Sequence, residues 1–362
     1  MIVFPYYALL YRSLSPSYSI QKGFSYGIQQ FADLQNSAVL LAELMARSGY
    51  SVLLPDGLGM GNNYDMHNMC TKVGAYSVID AIMAARDITP NRTDAVWDKK
   101  NVYMLGISEG AYLALEASKV IQQEYDDVFN IKATACIDGP YDVSGTMMDA
   151  VMSDDAPSNP FIEMSTFIPS IVFSLSETYG QAEPFFLYTN AFRNDIKGID
   201  FPNKVYDYYT DPKNDSVFIN VGGYMKNIIG SDTYRNERSA LSETYVNAMT
   251  DPTSSVRPYL EACNAFYNWM PKMPLNLLHN PADDLISVDN TINAYNAFIK
   301  AGSVTTEYTI FNEHMEVGFF HGGACIVGML KGFKWFDKFQ YGDRLINMTI
   351  NLPDNLQIPS FQ

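Results

Sequence analysis

NVYMLGISEGAYLALE, residues 101–116, sets the architecture of this chain. Val102 to Leu105 is a short apolar run of strand type, and a helix begins near Glu109. Between them stands Gly106-Ile107-Ser108-Glu109-Gly110, a G-x-S-x-G. A serine between strand and helix is forced into a sharp turn. Its hydroxyl projects from the carboxyl edge of the sheet, and the next backbone N–H faces the same space. The flanking glycines are expected because a Cβ would collide with the neighbouring strand or helix. Gly23-Phe24-Ser25-Tyr26-Gly27 fits the same pattern but follows a polar, proline-broken segment, so context selects Ser108 as the candidate nucleophile.

Outward from this turn the chain alternates. Ile2 to Tyr11 is a strand candidate. Ile28 to Ser48 has helical spacing through Ile28, Phe31, Ala38, Leu41 and Met45. Tyr50 to Leu54 is a strand, Pro55 to Gly61 a turn, Val73 to Arg86 a helix, and Ala133 to Ile137 a strand. After a break the rhythm returns. Pro274 to His279 is a strand, Val288 to Ala301 a helix, Thr305 to Phe311 a strand, and Ala324 to Phe339 a helix, with Asn312 to Gly323 a loop between the last two. Buried apolar strands alternating with helices predict an α/β fold, a mostly parallel sheet covered by helices on both faces. Reactive groups of such sheets collect at the carboxyl ends of strands.

The expected division is 1–143 with 259–340 as one catalytic unit, 144–258 as a mainly helical insertion over the sheet, and 341–362 as a polar tail. The insertion is rich in Met and Phe, among them Met147, Met148, Met152, Phe161, Met164 and Phe167. These form its own core or an apolar wall for a greasy substrate part.

A net charge of −16 argues against nucleic acid and anionic membrane surfaces as partners. No apolar run reaches the length of a membrane span. The apolar first eleven residues lack a basic n-region and a cleavage site, so a strand is expected there, not a leader. Cys70, Cys136, Cys263 and Cys325 are scattered with no C-x-x-C, leaving disulfides and free thiols both open. Gly57-Leu58-Gly59-Met60-Gly61 lacks the spacing of a dinucleotide loop, and no H-E-x-x-H or carboxylate cluster points to a metal. No cofactor is expected.

A serine hydroxyl needs a base, and the base needs an orienting acid. There are four histidines, His67, His279, His314 and His321. His314 and His321 lie after the last strand, where an imidazole can fold back over the serine. Asp283 and Asp284 follow one strand end and Asp138 another, and all three are candidate acids.

The segments GYSVLLPDGLGMG, LGISEGAYLALE, DGPYD, LLHNPADDLISVDNT and HGGACIVGMLKGFKWFD resemble the alpha/beta-hydrolase superfamily, and within it the secretory lipase and esterase group. The resemblance covers the catalytic unit from about Tyr50 onward. It implies an alpha/beta-hydrolase fold with a helical cap, hydrolysis of a small-molecule ester with an apolar part, and export from the cell. The family's acid motif falls on His279-Asn280-Pro281-Ala282-Asp283, implying Asp283 as acid. Its H-G-G-A falls on His321-Gly322-Gly323-Ala324, implying His321 as base. Its oxyanion donors fall on Glu109 and on Ser13, in Tyr11-Arg12-Ser13, where the family's glycine is missing. A serine peptidase on the same scaffold, and a non-catalytic binding protein derived from it, are the alternatives.

Overall fold

The computed structural model describes residues 2–3, 42–55 apart from 43 and 49, 72–88, 100–152, a few positions between 171 and 191, 237–316 and 320–340. Among the described residues, six strands form one sheet: β1 (Ile2–Val3), β2 (Val52–Leu53), β3 (Asn101–Ile107), β4 (Asn130–Ile137), β5 (Leu275–His279) and β6 (Thr306–Ile310). Their order is β2-β1-β3-β4-β5-β6, and every pairing among them is parallel. The order reverses between β1 and β3, so β3 ends beside the switch point where ligands of open α/β sheets bind.

β3 shows why the sheet forms. All its residues after Asn101 are buried, and they divide with the strand's period of two. Val102 and Met104 join a core with α1 (Lys72–Ile88) and α2 (Glu109–Glu124). Tyr103, Leu105 and Ile107 join a second core on the opposite face. That face is covered by α6 (Phe320–Trp335), through Ala324, Met329 and Phe333. A strand wetted on neither face must be apolar throughout, which explains the uninterrupted run.

Between β4 and β5 the described residues include a π-helical turn at Val143–Met147, α3 (Glu243–Thr250) and α4 (Arg257–Ala262). α5 (Asp289–Lys300) crosses from β5 to β6. α6 lies close against the sheet. A Cβ on Gly328 would stand 2.3 Å from Ile137 Cγ2, and one on Gly332 2.9 Å from Leu105 Cδ1. Small residues at this four-residue spacing let α6 approach the sheet and fix where its first turn falls.

The expected helix at Ala324 in fact begins at Phe320, so His321 stands in the first turn of α6 and not in the preceding loop. Two successive glycines argue for a loop on propensity, but tertiary packing overrides that. β2 is two residues long, shorter than the Tyr50–Leu54 run, and residues 4–11 of the Ile2–Tyr11 run lie outside the described residues. Among the described residues, no helix is long and apolar enough to cross a membrane. Ser13, His67, Cys70 and the tail 341–362 lie outside the described residues.

Candidate active site

Ser108 joins β3 to α2 with φ 51° and ψ −128°, a left-handed backbone that a non-glycine residue adopts under constraint. The constraint is visible on both sides. Ser108 N–H donates to Ile137 O at 2.8 Å, tying the turn to β4, and Ser108 O accepts from Ala111 N–H at 2.9 Å, opening α2. Gly106 permits the turn: its Cβ would lie 2.1 Å from Gly110 O and 2.7 Å from Ala111 Cα. Glu109 is the first residue of α2, in the turn where helix N–H groups point outward, and its side chain is buried.

Two strands away, the turn after β5 carries Asp283. Its N–H donates to Asn280 O at 2.9 Å. One carboxylate oxygen, Oδ1, accepts from Leu285 N–H and Ile286 N–H, both at 2.8 Å. The other, Oδ2, meets His321 Nδ1 at 2.6 Å, with both side chains at most 3% exposed. Burial pushes the Asp283 carboxyl up. The His321 charge, its hydrogen bond and the two backbone N–H groups outweigh that and hold it below the usual range. Burial likewise depresses His321, but Asp283 and then Cys325 raise the imidazole well above its ordinary value.

Asp284, the neighbouring candidate, does different work: its Oδ1 accepts His321 N–H at 3.0 Å and so caps α6. The structure thus brings Asp283 and His321 together and assigns Asp284 to the helix end. His314 instead meets Glu316 Oε1 at 3.1 Å and stacks on Phe320. His279 is fully buried with both ring nitrogens engaged. Nε2–H donates to Ile286 O at 2.9 Å, and Nδ1 accepts from Thr291 Oγ1 at 2.8 Å. Burial, above all, lowers its pKa, so it is held neutral.

Asp138 ends β4 with φ 47° and is fully buried. Its N–H donates to Leu278 O at 2.9 Å, and Oδ1 accepts Asn280 N–H at 2.8 Å. Asp138, His279 and Asp283 have the mutual spacing of metal ligands. They do not fit a cation: both nitrogens of His279 are committed to Ile286 and Thr291, and Asp283 to His321 and two backbone donors. Cys136, Cys263 and Cys325 are free and buried. Cys325 was not marked by its sequence pattern as part of this region, yet its Sγ lies 3.6 Å from His321 Nε2. Its position one helical turn after His321 was the available signal.

A candidate hydrolase from Legionella pneumophila superposes with a TM-score of 0.68 at 17% identity, covering 95% of this chain and 80% of that one. The rice cell wall degrading esterase LipA from Xanthomonas oryzae gives 0.63 at 19% identity, over 86% of this chain and 77% of that one. The chain has the alpha/beta-hydrolase fold. Candida antarctica lipase A in its closed state shares it at 14% identity, with a TM-score of 0.55 over 86% of this chain and 64% of that one. No protein-family model and no curated protein sequence matches the chain. On the alpha/beta-hydrolase sheet, Ser108 follows the strand at the switch point and Asp283 follows the strand two places along.

Proposed function

We propose that this alpha/beta-hydrolase is a serine hydrolase of carboxylic esters working through an acyl-serine intermediate. The observation that carries the reading is the buried 2.6 Å contact of Asp283 with His321 Nδ1, on the sheet edge where Ser108 occupies a strained turn. With Nδ1 bound to the carboxylate, Nε2 is the nitrogen left for proton transfer. Ser108 Oγ attacks the ester carbonyl carbon while His321 Nε2 takes its proton. Backbone N–H groups of Glu109 and Ser13 receive the oxyanion. The carbon–oxygen bond to the alcohol breaks as His321 returns the proton to the leaving oxygen. Water, deprotonated by His321, then attacks the acyl carbon and releases the acid and Ser108. Asp283 holds the imidazole in the needed tautomer and offsets its positive charge throughout.

Two proteins sharing the fold are named an esterase and a lipase, which favours an ester over an amide substrate. The substrate is a small molecule with an apolar part, selected by the 144–258 insertion acting as a cap. The test is a panel of p-nitrophenyl esters of increasing acyl length beside aminoacyl amides, run with the wild type and Ser108→Ala. Ester turnover that Ser108→Ala abolishes is expected. Turnover confined to the amides, or unchanged in Ser108→Ala, overturns the reading.

A further inference from the structure

Asp138 combines two unfavourable features. A non-glycine residue sits at φ 47°, and a carboxyl is fully buried. Its neighbours explain why an acid stands there. Oδ1 accepts Asn280 N–H at 2.8 Å. Asn280 in turn accepts Asp283 N–H on its carbonyl and Ala282 N–H on its side chain. Asp138 therefore anchors the turn that carries the candidate acid. On its other side, Oδ2 accepts from Cys325 Sγ at 3.8 Å, and the same sulfur lies 3.6 Å from His321 Nε2. A thiol has one hydrogen and two acceptors compete for it. A carboxylate is the stronger, because hydrogen bonds to ionised acceptors are about twice as strong as neutral ones. Once Asp138 is ionised the hydrogen goes to it, and a sulfur lone pair faces the imidazole.

We infer that Asp138 is a positioning residue: it turns the Cys325 thiol hydrogen away from His321 Nε2 and keeps that nitrogen's lone pair for the proton of Ser108. This rests on the reading of Ser108, His321 and Asp283 as a triad. The groups facing Asp138 are His279 from β5, with Nδ1 3.7 Å away, Asp283 from the following turn, His321 and Cys325 from α6, and Tyr141 from its own segment. Burial and then the Asp283 charge push the Asp138 carboxyl up, while His321 and the hydrogen bonds from Asn280 and Cys325 oppose that. A protonated Asp138 no longer takes the thiol hydrogen, so the effect grows with pH as Asp138 ionises.

Asp138→Asn separates this from a structural role. Asparagine tolerates the left-handed backbone and its Oδ1 still accepts Asn280 N–H. Its amide can only donate to the sulfur, which turns the thiol hydrogen onto Nε2. The experiment measures kcat, KM and thermal midpoint on a short p-nitrophenyl ester across pH, for the wild type, Asp138→Asn, Cys325→Ala and the double variant. Rates are referred to fluorophosphonate-titrated sites, so misfolded molecules do not count. We expect Asp138→Asn to lower kcat about fivefold at alkaline pH, converging on the wild type toward acid, with KM within about twofold and an unchanged or higher thermal midpoint. In the Cys325→Ala background the same change lowers kcat less than about twofold, because no thiol hydrogen remains to interfere. An equal loss in both backgrounds, or no loss in either, overturns the inference while leaving the triad reading intact. Ester turnover that survives Ser108→Ala removes the triad reading itself.

Discussion

Two buried aspartate–histidine pairs stand side by side at the carboxyl edge of this sheet, and they behave oppositely. In one, Asp283 meets His321 Nδ1 at 2.6 Å, and the imidazole is raised well above its ordinary value. In the other, Asp138 lies 3.7 Å from His279 Nδ1, and that imidazole is lowered. Burial is nearly the same. The difference lies in the hydrogen bonds. His279 spends its ring nitrogens on a carbonyl and a hydroxyl; the carbonyl favours the charged form, but with no carboxylate in hydrogen-bond contact that gain does not offset burial. His321 faces a carboxylate whose other oxygen is itself fixed by two backbone donors. A buried histidine is a base in reserve only where its surroundings favour the charged form.

The largest expected effects break this contrast at the Asp283–His321 pair. His321→Ala is expected to lower kcat by about 10⁴ to 10⁶-fold with the fold intact, measured by ester turnover and circular dichroism. Asp283→Asn is expected to do nearly as much, since its amide would donate to Nδ1 and force the proton onto Nε2, the wrong tautomer. Its turnover should stay low at every pH at which the protein is folded.

His279→Ala should show the complementary pattern. Leaving the Ile286 carbonyl and the Thr291 hydroxyl buried without a partner is expected to cost about 2–4 kcal/mol in urea unfolding. Turnover per folded molecule should remain within about threefold of the wild type, since His279 handles no proton.

Smaller still are the pH effects, which have opposite signs. His279 is depressed in the folded state, so its contribution to stability is present above the ordinary value of about 6.5 and shrinks as pH falls below it. His321 is raised, so its contribution is full below about 6.5 and is lost as pH rises through the folded value. Asp283 is depressed, and its contribution is lost as pH falls below about 3.9. Urea midpoints between pH 5 and 8 should therefore fall less steeply toward acid in His279→Gln than in the wild type, and more steeply in His321→Gln. Because His321 must be neutral to accept a proton, kcat/KM should rise with pH through a midpoint above about 6.5.

The contrast also marks what the sequence made legible. Asn101 to Glu116 announces strand, turn and helix through local signals, a buried apolar run and two glycines; β3 begins and ends within two residues of that reading, and α2 begins at Glu109 as expected. The parallel sheet followed from the same alternation. His321 was placed in a loop because Gly322 and Gly323 look like loop residues. In the fold it opens α6, whose N-terminus is capped by Asp284 from 37 residues away. The separate duties of Asp283 and Asp284, adjacent and chemically identical, are set by that long-range contact. The meeting of Cys325 with Asp138, 187 residues apart, likewise exists only once α6 packs on β4. The hydrogen bonds that make His279 a neutral strut depend on Thr291 and Ile286, which no local motif ties to it.

Labelling the folded protein with a fluorophosphonate probe and mapping the adduct by mass spectrometry tests the central claim most directly. A single adduct on Ser108, absent from Ser108→Ala and strongly slowed in His321→Ala, is the predicted result. Folded protein that stays unlabelled, or that carries its adduct on another residue, would contradict it.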